Sequence, residues 1–225
     1  MFTAVAINGS PRKRGNTYHL LDLALEPLRR AGWRTEILQL GKQPVRGCAA
    51  CFRCFKNRDG RCVLPEDAVS QAMAAMYAAD AIILGSPAYF SDVTAEMKAL
   101  LDRAGIVSLG NDNLLKGRLG AAVVAQRRGG ALHAYDTMHH FFQLCCMLIP
   151  GSTFWNMGFG EYPGDVVKND AEALHNMENL GKALAWLGEL TIPHRDSFPR
   201  LWNRYAPSSE EDDRAKPEAP KEGTA

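Results

Sequence analysis

Four of the chain's six cysteines fall in the stretch GCAACFRCFKNRDGRC, as Cys48, Cys51, Cys54 and Cys62, with two, two and seven residues between them. Thiols at such spacings can hold an iron-sulfur cubane, hold zinc, form a redox dithiol, or simply pack. Compartment decides first. The N-terminal stretch MFTAVAINGSPRKRGNT has an apolar run of only about five residues before a Gly/Pro/Arg turn, which suits a first β-strand and not a secretory signal. No window approaches the ~20 apolar residues of a membrane helix, so a reducing cytoplasm is expected and disulfides are disfavoured. Three thiols in C-x-x-C-x-x-C followed by a fourth then favour a [4Fe-4S] cluster, because zinc more often takes two separated pairs. Phe52 and Phe55 could shield it from water. Cys145 and Cys146 lie in or beside an apolar helical stretch and are expected to pack.

Three further stretches have compositions suited to a ligand. In NGSPRKRGNT, Gly9, Ser10, Gly15, Asn16 and Thr17 come with Arg12, Lys13 and Arg14 between an expected strand and helix. Backbone amides at a helix start, two hydroxyls and positive charge can surround a phosphate, although the same residues also make an ordinary polar turn. The stretch lacks both the Gly-Lys-Ser/Thr ending of a nucleotide-hydrolysing loop and the G-x-G-x-x-G of a dinucleotide site, so a terminal monophosphate fits better. In GSPAYFSDVTAEMKALLDR, Pro87, Ala88, Tyr89 and Phe90 offer an edge for a flat aromatic ligand. In QRRGGALHAYDT, Arg127, Arg128, Gly129 and Gly130 could meet the pyrimidine end of a flavin, or form a solvated glycine turn. The adjacent pair His139 and His140 point about 100° apart on a helix and cannot form an i, i+4 metal pair. Asp102, Asp165 and Asp170 show no paired arrangement for acid-base work.

The elements that must position these loops alternate. TAVAI, RTEILQL, DAIILG, LGAAVVA and CMLIPGS are the strand candidates, with five helices between and after them. Met97, Leu100, Leu101 and Ala104, and likewise Met138, Phe141, Phe142 and Cys145, form apolar stripes that belong to a core. The last helix is expected to begin with Asn169 as cap and Glu172 three residues on. Pro27, inside the first helix, removes a hydrogen bond to Leu23 and predicts a kink. Strands this apolar, alternating with helices, predict an α/β doubly wound parallel sheet whose ligands sit at the carboxyl ends of the strands.

The net charge is +1 with 46% hydrophobic and 23% charged residues, and no basic block lines a helix. Nucleic acid and membrane surfaces are therefore not expected partners. One domain is expected over residues 1–190, with the cysteine loop 47–62 inserted in it. Residues 191–205 carry Phe198, Leu201, Trp202 and Tyr205 and read as a docking extension toward the domain or a second subunit. Residues 206–225 are charged and Pro-containing and read as a disordered tail.

Taken together, GSPRKRGNT, GSPAYFSDVTAEMKALLDR, RRGG, STFWNMGFG and the compact cysteine motif resemble the NAD(P)H-dependent FMN reductases of the flavodoxin-like superfamily, and most closely the iron-sulfur flavoproteins. The resemblance covers roughly residues 1–190. It implies a five-stranded sheet in the order 2-1-3-4-5 and FMN held by Ser10, Arg12, Gly15, Asn16 and Thr17 at the phosphate. Pro87, Ala88, Tyr89 and Phe90 match the loop at the isoalloxazine ring, and Arg127 to Gly130 the loop at its pyrimidine edge. Trp155 and Asn156 match a family element of uncertain role. The gap from Cys54 to Cys62 is longer than in the tightest family motif. The implied function is an FMN-dependent oxidoreductase or electron-transfer flavoprotein, taking electrons from NAD(P)H or ferredoxin in a homodimer or homotetramer. Alternatives are a cluster-free NAD(P)H-dependent FMN or quinone reductase, and a non-catalytic electron carrier.

Overall fold

A computed structural model describes residues 1–42 and 44–199. The expected tail, and the extension beyond residue 199, lie outside the described residues. Five parallel strands, β1 (Thr3–Asn8), β2 (Arg34–Gln39), β3 (Ala81–Pro87), β4 (Leu119–Gln126) and β5 (Met157–Phe159), form one sheet in the order β2-β1-β3-β4-β5. Alternation of small and branched side chains builds a core on each face. Val5 and Ile7 of β1, Ile82 and Leu84 of β3, and Ala122 and Val124 of β4 face one apolar cluster. Ala4, Ala6, Ala81, Ile83, Leu119, Ala121, Val123 and Ala125 face the other. Period-two burial on both faces is what a helix-covered parallel sheet requires.

Five longer helices cover the sheet: α1 (Asn16–Arg30), α3 (Ala68–Ala78), α4 (Ala95–Gly110), α5 (Ala131–Leu144) and α7 (Ala171–Thr191). Two single-turn helices, α2 (Arg53–Asn57) and α6 (Asp165–Asn169), complete the α-helices of the described residues. The first helix runs on through Pro27 to Arg30. Around Pro27 it packs closely on α7: a Cβ on Gly181 of α7 would fall 2.4 Å from the Ala24 carbonyl and 2.7 Å from the Pro27 ring. Glycine is therefore required where the two helices cross.

Two expected boundaries shift. CMLIPGS is not the fifth strand. Leu148 alone bridges Leu119, its amide donating to the Arg118 carbonyl at 2.8 Å and its carbonyl accepting from the Gly120 amide at 2.9 Å. The next residue in ladder phase is Pro150, which has no amide to give. The chain leaves the sheet edge over residues 149–156 and rejoins at Met157, beside Val124. The cap of α7 is Asp170, one residue past Asn169. Its carboxylate accepts from the Ala173 amide at 3.0 Å and from the Phe159 amide at 2.8 Å, so the same side chain starts α7 and ties it to β5.

After α7 the chain forms a short 3₁₀ helix, Ile192–Ser197, anchored by Arg195 to Asp80 at 2.6 Å. Among the described residues no helix is long and apolar enough to cross a membrane.

Candidate flavin site and cysteine loop

Strand order reverses at β1, so the loops after β1 and β3 diverge above a crevice, and the three compositionally unusual loops all open at that carboxyl edge of the sheet. The loop after β1 is held from below: the Gly9 amide donates to the Gly85 carbonyl at 2.7 Å, and Thr94 Oγ1 donates to the Gly9 carbonyl at 2.9 Å. Asn8 Oδ1 accepts from the Ser10 amide, and Ser10 Oγ from the Arg12 amide. This wiring aims the loop at the start of α1. That helix has Gly15 as its cap, no side-chain hydrogen bond at the cap and no acidic residue in its first turn. Thr17 is 1% exposed, and its hydroxyl has no partner among the described residues. Arg12, Lys13 and Arg14 are exposed and form no ion pair there. An open helix N-terminus, an unpartnered hydroxyl and three unpaired cations fit a phosphate dianion.

Asn16 behaves differently from its neighbours. Its Oδ1 accepts from the Gly164 amide at 2.9 Å and the Val166 amide at 3.4 Å. The carboxamide thus fastens the loop after β5 to α1, which leaves Asn16 its backbone amide to offer a ligand.

The loop after β3 folds into a tight turn in which Tyr89 and Asp92 exchange two backbone hydrogen bonds of 2.8 and 3.0 Å. Both central residues are left-handed, Phe90 at φ 49° and Ser91 at φ 65°. The strain, of order 1–3 kcal/mol per residue, projects the Phe90 ring wholly into solvent, with Tyr89 half-exposed beside it. Asp92 braces the turn by accepting from Thr137 of α5 at 2.8 Å. In the loop after β4, Gly130 has φ +88°, and a Cβ there would lie 2.8 Å from Ser91 Oγ, so glycine lets the two loops touch. The two arginines separate: Arg127 pairs with Glu161 at 3.2 Å, while Arg128 pairs with nothing among the described residues.

Arg128, Gly129 and Gly130 also line a cleft of about 320 Å³ whose far wall is Phe154, Trp155 and Phe159. The wall is organised by Asn176, buried in α7 at 2% exposure. Its Oδ1 accepts from Ser152, Thr153 and the Phe154 amide, and its Nδ2 donates to the Phe154 and Trp155 carbonyls at 3.1 and 2.8 Å. Sequence reasoning assigned Asn176 no role. A polar residue within the apolar stripe of the last helix was the available signal.

Comparison with known proteins decides the family. Residues 2–161 match the family described as NADPH-dependent FMN reductase. The chain belongs to that family. Within it, the chain is 36% identical over 188 residues to an iron-sulfur flavoprotein of Methanocaldococcus jannaschii, covering 80% of this chain and 94% of the relative. It is 33% identical over 205 residues to one of Archaeoglobus fulgidus, covering 86% and 98%. Solved structures share the fold. RosB with bound 8-demethyl-8-formylriboflavin-5'-phosphate superposes with a TM-score of 0.69 at 14% identity, over 100% of this chain and 98% of that one. A flavodoxin-like, WrbA-like protein of Agrobacterium tumefaciens gives 0.56 at 16% identity, over 84% and 98%. The protein is a flavin-dependent oxidoreductase of the FMN reductase type with a flavodoxin-like fold.

In this family member the cysteine loop is held by α4. Arg103, with no exposed side-chain surface, donates to Asp67 at 2.6 Å, Ser70 at 3.0 Å and the Arg46 carbonyl at 3.2 Å. Asn111, the C-cap of α4, donates to the Cys54 carbonyl at 3.3 Å and accepts from the Gly60 amide at 2.9 Å. Between these clamps Ala50 and Phe52 are left-handed, and the Ala50 amide donates to Cys48 Sγ at 3.4 Å. The thiols are not gathered as their spacing implied. Cys48 and Cys51 are exposed and Cys62 is half-buried, whereas Cys54 turns into the core under the Ile106 carbonyl at 3.9 Å. Burial, helped by the neighbouring Cys48 and Cys51, pushes the Cys54 thiol above its usual range. Among the described residues no three His, Cys, Asp or Glu side chains are placed to hold a metal ion. Cys145 is buried, with its thiol pushed up to about 12, as a packing residue should be. His139 is shifted below its usual value by burial.

Proposed function

We propose that the chain binds one FMN at the three loops and uses it to move electrons from NAD(P)H to an acceptor. The observation that carries this reading is the open N-terminus of α1, flanked by the unpartnered Thr17 hydroxyl and the unpaired Arg12, Lys13 and Arg14. Ser10, Thr17 and the first amides of α1 donate to the phosphate, and the three cations balance its charge. Tyr89 and Phe90 bound the flavin ring, Gly129 and Gly130 let the backbone approach its pyrimidine edge, and Arg128 offsets negative charge there. Bound FMN supplies the two-electron chemistry that no side chain provides. Flavin extracted from the protein is expected to be FMN at one per chain, and stopped-flow mixing with NADPH or NADH is expected to bleach it. FAD in the extract, or no flavin after reconstitution with FMN, sinks the reading.

Reduction by ferredoxin and by neither nicotinamide would instead assign the chain as an electron carrier. The relatives' names say iron-sulfur flavoprotein, the spacing of Cys48, Cys51, Cys54 and Cys62 favours a [4Fe-4S] cluster, and four thiols suit that group in kind. Their positions do not, because Cys54 points into the core, so no electron step is routed through a cluster here. Iron and zinc counts on anaerobically prepared protein test it: about four irons per chain, lost on changing any one of the four to serine, supports the cluster. The assembly proposed is a homodimer or homotetramer, and sedimentation measures its oligomeric state directly.

A further inference from the structure

The cleft of about 320 Å³ beside the loop after β4 has an interior that the flavin does not use. In the sheet β4 lies between β3 and β5. Gly130 meets Ser91 on the β3 side of that loop, whereas the cleft opens on the β5 side, against Met157 and Phe159. The loop therefore stands between the flavin ring proposed above and the cleft. The volume falls within the range of small-molecule sites, about 300–1,000 Å³. One wall is aromatic: Phe154, Trp155 and Phe159 are each about half-exposed, and the Phe154 and Trp155 ring centroids lie 4.8 Å apart. Asn176 already fixes the backbone of that wall, so little order has to be gained when a flat ligand stacks on it.

Two polar groups in the cleft are unused. Gln126, the last residue of β4, is only 8% exposed. Its Oε1 accepts from the Ala131 amide at 3.2 Å, which fixes the carboxamide and leaves Nε2 with no hydrogen bond among the described residues. A donor held in so apolar a cleft calls for an acceptor on the ligand. Glu172, exposed in the first turn of α7, is an acceptor that forms no ion pair among the described residues. Arg128 is the cleft's cation, and α5, which begins there at Ala131, has no side-chain cap and no acidic residue in its first turn.

A flat ring that both accepts and donates at its edge matches this set, whereas a quinone, which only accepts, leaves Glu172 unused. Adenine has ring nitrogens to accept from Gln126 Nε2 and an amino group to donate to Glu172. Bases stack on aromatic side chains, and a phosphate on the ribose meets Arg128 and the start of α5. We infer that the cleft binds the adenine ring of an adenosine phosphate. Its assignment to the electron donor rests on the function proposed above. NAD(P)H is two flat halves joined by phosphates, and a cleft across the loop from the flavin edge receives the adenine half while the nicotinamide half meets the flavin.

The full chain, isotope-labelled and reconstituted with FMN, is titrated by NMR with AMP, IMP and ribose 5-phosphate. AMP is expected to shift the Gln126 side-chain amide and the Trp155 indole resonances, and ribose 5-phosphate, which lacks a base, to shift neither. IMP, with a carbonyl in place of the amino group, is expected to bind at least about fivefold more weakly, and Glu172→Ala is expected to remove that preference. Trp155→Ala is expected to weaken AMP by about fivefold or more. In steady-state kinetics the same variant is expected to lower the ratio of kcat/KM for NADPH to kcat/KM for reduced nicotinamide mononucleotide, which has no adenine, by a similar factor. Shifts with ribose 5-phosphate equal to those with AMP, IMP binding as tightly as AMP, or an unchanged donor ratio in Trp155→Ala overturns the inference. AMP binding in the cleft without reduction of the flavin by any nicotinamide would overturn the donor function and leave the adenine site standing.

Discussion

At the scale of single residues, Thr17 and Arg128 carry the sharpest expectations. Thr17 is nearly inaccessible yet its hydroxyl bonds nothing among the described residues, which leaves it available to the phosphate proposed above. A hydrogen bond to a charged group contributes about 1.5–3 kcal/mol. Thr17→Ala is therefore expected to weaken FMN by about tenfold or more while riboflavin, which lacks the phosphate, changes by less than about twofold; fluorescence titration of both flavins measures it, and equal losses would remove Thr17 from the phosphate site. The two arginines after β4 are adjacent in sequence and alike in chemistry. Only Arg128 lacks an ion-pair partner among the described residues, whereas Arg127 lies 3.2 Å from Glu161. Arg128→Ala is expected to lower the two-electron flavin potential by roughly 10–30 mV, equivalent to ~0.5–1.5 kcal/mol of charge stabilisation. Arg127→Ala is expected to leave it unchanged, and spectroelectrochemistry would expose the opposite order.

At the scale of elements, the segment 149–156 shows why long-range supports are hard to read from sequence. The sheet excursion begins because Pro150 cannot donate where the ladder requires it, and it is held by Asn176 from 22 residues away. Asn176→Ala leaves the Phe154 and Trp155 carbonyls and the Phe154 amide without their partner, at about 1–3 kcal/mol for each that water cannot reach. A loss of about 2–4 kcal/mol in urea denaturation is expected. A loss under about 0.5 kcal/mol would mean the carboxamide bonds are replaced by water. Four of the five strands were legible because each is a contiguous pattern. The clamps were not: Arg103 meets Arg46, and Asn111 meets Cys54, across 57 residues. Spacing likewise placed four thiols on one loop but carried no information on the direction each would face. That direction is set by α4, and it turned Cys54 inward.

At the scale of the whole molecule, the two ends of the fold are fastened by carboxylates, and this fixes how stability responds to acid. Asp80 at the start of β3 receives the Thr3 amide at 2.8 Å and Arg195 at 2.6 Å, joining the first strand to the 3₁₀ helix that follows α7. Asp67, which caps α3, receives Arg103 and so joins α3 to α4 and the cysteine loop. Burial alone would raise both carboxyls, but the arginine and backbone hydrogen bonds outweigh it and hold both below the usual range. A folded value below the unfolded one, about 3.9 for Asp, means the unfolded chain takes up the proton first as pH falls. The stabilisation is thus complete above about pH 5 and is lost as pH drops through the folded values. Lowering the pH from about 5 to 3 is expected to steepen the loss of unfolding free energy in the wild type. Asp80→Asn, which keeps an acceptor for the Thr3 amide but cannot titrate, is expected to be less stable at neutral pH and to lose less over that interval. Parallel pH profiles for wild type and variant, measured by urea denaturation, would show that the Asp80–Arg195 pair contributes nothing to acid sensitivity and that the last helical turn is held by packing alone.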